Sequence, residues 1–364
     1  MKKLIVLLLA VAMIAVAVIG CAPAAPAAEE PAAEEPAAEE AAEESAVKEV
    51  TIGDYTFEID TSIPMSEREF AVVYMNTTVP FAQAIKQGCD AAAEEFGCNG
   101  YMTGKDSWDT AVEIEVIEGL IAKGVDGISI AVLDEPGMTP VIVDSLESGI
   151  PTTCFNVDAP NSPRLGFVGE DLHLAGAATA EDIVERMGES GKVLVSSVAQ
   201  AATWSRQRQD GVEEVLNKYP DIEIVQVVDC PGSEQEAYTA LENAYLANQD
   251  IDAHISLGGT SYLFGRIMVD NSTNNAFSDT PLYNTGHDLT PAEEKLQMIV
   301  DGWVASAFTQ NPYKQGYEGI AMLAKFYQTG DPSVFEVMDT GVVGVDATNV
   351  QEYLDKLAAG EPVG

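Results

Sequence analysis

Short apolar runs alternate with amphipathic segments along most of this chain. In the stretch Phe70–Gly97, an unbroken apolar run, Phe70–Met75, is followed by a polar turn, Asn76–Pro80, and then by a helical pattern, Phe81–Phe96. A run that is apolar at every position is typical of a strand covered on both faces in a parallel sheet. Pro80 falls where the first turn of a helix tolerates proline. The turn is therefore expected at the carboxyl end of a central strand, where open α/β sheets bind ligands.

The same strand-then-helix pattern recurs to the end of the chain. Further strands are predicted at 50–57, 100–103, 126–132, 151–155, 165–168, 192–197, 222–228, 253–257, 281–285 and 304–309, with a last pair within 335–345. Further helices are predicted at 110–123, 136–148, 172–187, 204–218, 234–247, 262–270, 290–300, 312–328 and 349–358. Such alternation predicts parallel sheets built from right-handed βαβ units. The two successive sets predict an α/β protein of two doubly wound lobes with a hinged cleft between them.

The first 21 residues have the pattern of a secretory signal. Lys2 and Lys3 precede an apolar segment, Leu4–Ile19, which is at the short end for a membrane-spanning helix. The segment ends in Val18-Ile19-Gly20-Cys21, which resembles the bacterial lipoprotein cleavage motif, with Val18 where leucine is more usual. We expect Cys21 to carry a lipid. The alternative is an ordinary signal peptide with an incidental cysteine.

Residues 22–47 are expected to form a disordered acidic linker. This segment contains the near-repeat PAAEEPAAEEPAAEE and has neither aromatic residues nor apolar periodicity, so it cannot build a core. Its prolines and like-charged glutamate pairs favour an extended chain, although the Ala-Glu composition also permits transient helix. Its expected role is to span the distance between a membrane and the folded part of the protein.

Length and charge narrow the functional class. The chain has 364 residues, a length at which two domains are more usual than one. It carries 59 acidic and 18 basic residues, for a net charge of −41. We expect no nucleic-acid partner, because phosphate binding needs a positive patch. The simplest interpretation of the large negative charge is that it keeps the protein soluble.

The cysteines and histidines match no common metal or redox pattern. Beyond Cys21 the chain has Cys89, Cys98, Cys154 and Cys230, without a CxxC spacing. They could form two disulfides. Free, buried thiols are favoured, because Cys89 and Cys154 fall in a helix and a strand that are predicted to be core. Three scattered histidines argue against a metal site.

No catalytic constellation is present in the sequence. The chain has no GxSxG, HExxH or strand-linked GxGxxG motif. The segment Gly188–Lys192 suggests a phosphate loop but lacks the earlier glycine, and Val193 replaces the needed Ser or Thr. Asp158 and Asp288 could in principle face one glycosidic bond. We nevertheless expect no catalytic residues and no cofactor.

Several spaced motifs together resemble one protein family. They are VPF at 79–81, IEGLIAKGVDGISI at 117–130, GIPTTCFNVDAP at 149–160, FVGEDLHLAG at 167–176, RQRQDG at 206–211, GHD at 286–288 and FTQNP at 308–312. In this order, over about 68–357, they resemble the periplasmic sugar-binding proteins of the ribose and galactose type, which serve ABC importers.

The resemblance implies a type I periplasmic binding protein fold, with two αβα sandwiches joined by a three-strand hinge. The chain would cross between the lobes near Glu170–Asp171, Gln310–Pro312 and Val337–Val342. The amino-terminal lobe would be 48–170 plus 311–336, and the carboxyl-terminal lobe 171–310 plus 337–364.

The resemblance also nominates ligand-binding residues. A closed sugar site needs flat apolar surfaces for the ring and planar polar groups that pair with adjacent hydroxyls. Phe81 and Trp204 would stack on the sugar; the alternative for each is packing within a lobe or at the rim. Arg208, Asp288 and Gln310 match family contacts. Arg208 would serve two hydroxyls with its fork or, alternatively, lie on a helix surface.

The sequence departs from the family at two places. Asn156 and Val157 stand where the ribose type has Asp and Arg, and Asp158 either supplies a carboxylate instead or only forms a turn before Pro160. Gly258-Gly259 replaces the usual Asn-Asp, so one side-chain contact is missing. These departures make ribose itself doubtful.

The implied function is capture of a neutral monosaccharide or polyol and its delivery to an ABC permease. The partners would be the sugar, the permease and, through the lipid anchor, the outer face of the cell membrane; the protein would be a monomer. The alternative is a ligand-sensing module for a chemoreceptor or sensor kinase.

Overall fold

The computed structural model describes residues 46–230 and 233–363. The expected signal, the lipidation site Cys21 and nearly all of the linker lie outside these residues. The described part contains two six-stranded sheets and an amino-terminal two-stranded hairpin. The predicted architecture of two parallel-sheet α/β lobes is confirmed.

The elements follow one another in the predicted order. The strands are β1 Val47–Ile52, β2 Tyr55–Asp60, β3 Glu69–Tyr74, β4 Asn99–Gly104, β5 Gly127–Ile130, β6 Thr152–Phe155, β7 Phe167–Gly169, β8 Ser190–Ser197, β9 Asp221–Asp229, β10 Ala253–Ser256, β11 Tyr283–His287, β12 Ser306–Thr309, β13 Val337–Asp339 and β14 Val343–Asp346. The helices are α1 Pro80–Phe96, α2 Thr110–Lys123, α3 Glu135–Glu147, α4 Leu172–Met187, α5 Thr203–Leu216, α6 Glu234–Ala247, α7 Ser261–Asp270, α8 Ala292–Asp301, α9 Pro312–Thr329 and α10 Val350–Ala358. Single 3-10 turns occur at Met65–Glu67 and Pro332–Val334.

The first sheet has the strand order β13-β7-β6-β5-β3-β4, and its pairs are parallel. β3, β5 and β6 are buried almost throughout, as expected for strands covered on both faces. The core here includes the fully buried rings of Phe70, Phe155 and Phe326. α1 begins at Pro80 and ends before Gly97, whose φ of 64° is left-handed.

The second sheet has the order β14-β12-β11-β10-β8-β9. Its pairs are parallel except that the edge strand β14 runs antiparallel to β12. α4 and α5 pack very closely over it. A Cβ at Gly176 would lie 2.0 Å from the carbonyl oxygen of Arg208, and one at Gly211 would lie 2.1 Å from that of His173. Glycine at both contact points therefore holds α5, and with it Arg208, against α4.

The chain passes between the two sheets three times, after β7, after β12 and after β13. β13 pairs in parallel with β7, so Val337–Asp339 belongs to the first sheet. The third crossing thus lies between Asp339 and Val343 instead of beginning at Val337. The side chains of β13 are mostly exposed, so no apolar pattern marks its sheet, and the backbone pairing alone decides it.

Two local expectations are refined by the structure. The single strand predicted at 50–57 is the hairpin β1–β2, which turns at Gly53 with a left-handed φ of 58°. All four cysteines in the described part are free thiols, as favoured from the sequence; Cys89, Cys154 and Cys230 are buried and Cys98 is partly buried. Burial raises the pKa of the Cys230 thiol to about 12.

Candidate functional site

A cavity of about 630 Å³ lies between the two sheets, where strand ends from both converge. Its walls include the ends of β3, β6, β10, β11 and β12 and the first turns of α1, α5, α6 and α7. This is the position expected for a ligand site in open α/β sheets. Six of the residues nominated from the sequence line it: Phe81, Asn156, Trp204, Arg208, Asp288 and Gln310.

A chain of amide and carboxylate hydrogen bonds crosses the floor of the cavity. Asn156 Nδ2 donates to Gln310 Oε1 at 2.9 Å and to Gln315 Oε1 at 3.0 Å. Gln310 Nε2 in turn donates to Asp288 Oδ1 at 2.9 Å. Asn156 belongs to the first lobe, Gln310 to a crossing segment and Asp288 to the second lobe. This series of hydrogen bonds therefore holds the polar groups of both lobes in one fixed arrangement.

Asn156 and Asp288 both have left-handed backbone conformations, with φ of 60° and 66°. Asn and Asp are the non-glycine residues that adopt this region most readily. Each follows the last residue of a strand, β6 or β11, and this geometry turns its side chain into the hinge region. Asp288 is half-buried and lines the cavity, so its carboxylate can meet a ligand there.

Arg208 is bound mainly to the protein. Its Nε donates to Glu170 Oε1 at 3.1 Å, its Nη2 donates to the same oxygen, and its Nη1 donates to the carbonyl oxygen of Leu257 at 2.7 Å. The residue is only 2% exposed, although it lines the cavity. The pairing of Arg208 with two sugar hydroxyls stays a prediction, and the Nε edge of its fork is already occupied. The sequence indicated Glu170 only as a crossing position and did not indicate this contact.

Aromatic rings form the side walls. Phe81 packs against Tyr74 with the ring centroids 5.9 Å apart, and Trp204 packs against Trp108 at 6.3 Å. Trp108 comes from the first lobe and Trp204 from the second, so this pair bridges the cleft. The sequence reasoning missed Tyr74 and Trp108. Trp108 lies before α2 in a polar loop, where a large aromatic residue is itself a signal of a binding surface.

Gly258 makes room for the Trp204 ring. A Cβ at Gly258 would lie 2.8 Å from Trp204 Cζ3 and 2.9 Å from Cη2. The side chain that the family usually has here is thus replaced by an indole from a neighbouring helix. Gly259, by contrast, has a left-handed φ of 56° with open space at its Cβ position. The space beside Gly258 is therefore occupied by the Trp204 ring, whereas the space beside Gly259 is open.

Asp158 does not line the cavity. Its carboxylate accepts from Arg164 Nε at 2.6 Å and Nη2 at 2.7 Å, and from the backbone N–H of Ala159 at 2.8 Å. The ligand-carboxylate role left open by the sequence is therefore not supported, and the carboxylate instead pairs with Arg164 and the adjacent backbone. The fully satisfied carboxylate has a partner six residues further along the chain, which sequence reasoning overlooked.

Two buried basic residues, His287 and Lys295, lie next to Asp288. Lys295 Nζ donates to the backbone oxygens of His287, at 3.2 Å, and of Asp288. Burial lowers the pKa of Lys295 to about 8, with Asp288 opposing the shift. Burial, together with the charges of Arg208 and Lys295, lowers the pKa of His287 well below its usual value, so this ring is neutral. Within 46–230 and 233–363, no group of three or more His, Cys, Asp or Glu side chains is arranged to hold a metal.

Comparison with known proteins agrees with the fold. The family model described as "Periplasmic binding protein domain" matches residues 70–331. The chain belongs to this family. Its resemblance to the sugar-binding members, inferred above from spaced motifs, is confirmed by the relatives.

Two curated relatives illustrate the likeness. The chain is 26% identical to the xylose/arabinose-binding protein XylF of Sulfolobus acidocaldarius over 78% of this chain and 72% of the relative. It is 21% identical to the D-apiose import binding protein of Actinobacillus succinogenes over 78% of this chain and 89% of the relative. Both relatives are named as binding proteins, in agreement with the expectation that this chain is not an enzyme.

Solved structures share the fold. A solute binding protein of an ABC transporter from Agrobacterium vitis, bound to α-D-tagatopyranose, matches with a TM-score of 0.71 at 20% identity, covering 82% of this chain and all of that one. One from Burkholderia graminis, in complex with D-arabinose, matches at 0.70 with 21% identity, covering 79% of this chain and 98% of that chain. Membership of this family places the protein outside the cytoplasm. Across the described ranges, no helix combines the length and the apolar character needed to cross a bilayer.

Proposed function

We propose that this protein is a solute-binding lipoprotein that captures a neutral monosaccharide or polyol between its lobes and delivers it to an ABC importer. The observation that carries the proposal is the hydrogen-bonded chain of Asn156, Gln310 and Asp288, flanked by the rings of Phe81 and Trp204. Fixed planar polar groups beside flat apolar faces match the alternating hydroxyls and C–H faces of a sugar.

Closure of the lobes would follow from ligand contacts to both. Gln310 lies on a crossing segment and is bonded to groups from each lobe, so a ligand that touches it favours the arrangement in which those groups converge. The rings of Trp108 and Trp204 would then shield the ligand at the mouth. The expected affinity is in the micromolar range, about −8 kcal/mol.

Import is favoured over the sensing alternative by the names of two relatives. One is the D-apiose import binding protein noted above, and another is the ribose import binding protein of Bacillus subtilis, 21% identical over 52% of this chain. A lipid on Cys21, the linker expected over 22–47 and a monomeric folded part complete the proposal, in which the domain is tethered and its cleft can reach a permease.

The ligand assignment is tested by a thermal-shift screen of residues 46–364 against neutral pentoses, hexoses and polyols, followed by calorimetry on hits. A stabilising hit with micromolar affinity is expected. The proposal is refuted if neutral sugars give no shift while amino acids or nucleosides do. Anchoring is tested separately in full-length protein, in which Cys21→Ser should move the protein from the membrane fraction to the soluble fraction.

A further inference from the structure

Glu170 is a fully buried carboxylate at the first crossing between the lobes, between β7 and α4. Its side chain is 1% exposed and its Oε1 accepts both bonds from Arg208. Its Oε2 is buried and has no hydrogen-bond partner among the described residues. A carboxylate buried in this way is costly unless its charge is compensated. The adjacent Arg208 guanidinium supplies part of that compensation: burial raises the pKa of the Glu170 carboxyl, and Arg208 opposes the shift.

The charge of Arg208 is decisive for the cleft, because Arg208 is the one basic residue among the described residues that line it. The acidic residues on the same walls are Asp106, Glu234 and Asp288. Glu234 Oε1 accepts a hydrogen bond at 2.6 Å from Nη1 of Arg266, a residue that does not line the cavity. With Glu170 cancelling Arg208, the surface that faces a ligand has a surplus of negative charge.

We propose that Glu170 is a positioning residue that sets ligand specificity: by neutralising and orienting Arg208, it restricts the cleft to uncharged sugars and excludes sugar acids. This inference rests on the proposed function. A free buried guanidinium would bind a carboxylate through two parallel hydrogen bonds, the strongest pairing available to it. Glu170 occupies the Nε–Nη2 edge that such a pairing uses. A uronic acid would then meet Asp288 without an available cation.

Glu170→Gln tests the idea with little change of shape. The glutamine retains an oxygen that can accept from Arg208, so the guanidinium stays near its position but is no longer neutralised. The measurement is the affinity for a neutral aldose that binds the wild-type protein and for the matching uronic acid. Glu113→Gln is the control for replacing a buried glutamate as such, because Glu113 lies in α2, where Oε2 accepts from the N–H of Leu133 and burial raises its pKa well above the usual value.

The wild-type protein should bind the uronic acid at least about tenfold more weakly than the neutral aldose, equivalent to about 1.4 kcal/mol. In Glu170→Gln, the ratio of uronate to neutral affinity should rise by about tenfold or more. Glu113→Gln should leave the ratio as it is, and Glu170→Asp, which keeps the charge, should stay close to the wild-type ratio. A purely structural role would lower both affinities together.

Two results would overturn the inference. One is a wild-type protein that binds the uronic acid as tightly as the neutral aldose, which can be measured even if the glutamine variant does not fold. The other is the same ratio in Glu170→Gln as in Glu113→Gln. Both outcomes differ from failure of the proposed function, in which no neutral sugar binds the wild-type protein at all.

Discussion

Replacing Asp288 by asparagine removes the charge of this carboxylate while keeping its shape. Asn adopts the left-handed backbone region at least as readily as Asp, so the φ of 66° at this position is retained. The donor Gln310 Nε2, 2.9 Å from Asp288 Oδ1, can still bond to the amide oxygen of the substitute. Alanine is a poorer choice, because a left-handed conformation costs roughly 1–2 kcal/mol for a residue with an ordinary Cβ.

The expected loss of affinity follows from the kind of hydrogen bond that is lost. Bonds to charged groups contribute about 1.5–3 kcal/mol and neutral ones about 0.5–1.5 kcal/mol. If two ligand hydroxyls donate to the free side of the carboxylate, they meet an amide NH2 in the variant and can only accept from it. Two charge-assisted bonds are then replaced by neutral ones, which removes about 2–3 kcal/mol. The dissociation constant should then rise by about 30- to 150-fold.

Calorimetric titration of the sugar identified by the screen, with thermal unfolding of the unliganded protein, measures both effects. Asp158→Asn is the matched control, because its carboxylate is bound by Arg164 outside the cavity. That control should lower the unfolding midpoint and leave the affinity unchanged. An Asp288→Asn variant that binds as tightly as the wild-type protein would refute the placement of Asp288 at the ligand. A loss of affinity in Asp158→Asn would contradict the placement of Asp158 outside the cavity.

Two further substitutions test the packing and charge around the site. Gly258→Ala places a methyl group 2.8 Å from Trp204 Cζ3, so it should displace the ring, cost about 1–3 kcal/mol in stability and weaken sugar binding; tryptophan fluorescence and calorimetry measure this, and unchanged values for both would contradict it. The control Gly119→Ala, on an open face of α2, should be neutral or slightly stabilising. The pKa of Lys295 is about 8 in the folded protein and 10.5 ordinarily, so between these pH values the unfolded chain binds the extra proton. The unfolding free energy of the wild-type protein, relative to that of Lys295→Met, should therefore rise by about 3 kcal/mol as the pH rises from 8 to 10.5. Denaturant titrations measure this quantity, and a difference between the two proteins that does not change with pH would refute the burial of a charged lysine.

Much of the fold follows from local patterns in the chain. The apolar run Phe70–Met75, which forms most of β3, is buried throughout, as its pattern requires. β5 and β6 are buried as well, although they contain Ser129, Thr152 and Thr153. Pro80 and Gly97 mark the ends of α1 by their backbone preferences alone. The two lobes and the position of the cavity at their strand ends could thus be predicted, because they depend on periodicity and on the handedness of βαβ units.

The partners of polar side chains could not be predicted in the same way. Asp158 and Asp288 are both carboxylates just after buried strands, yet one is closed off by Arg164 and the other faces the cavity. Likewise, nothing local to Arg208 indicates that Glu170, from another segment, occupies its guanidinium. Both outcomes depend on side-chain distances of a few ångströms, between residues six apart for Asp158 and Arg164 and between two separate segments for Glu170 and Arg208.

The sequence by itself therefore determined the order of helices and strands, because apolar periodicity and turn chemistry depend on residues that are close together in the chain. Assembly of the lobes decided which of the acidic groups are neutralised, why Gly258 accommodates an indole and which sheet receives β13. Each of these depends on close contacts across the packed core and hinge, where a single bond or a 2.8 Å approach selects one arrangement.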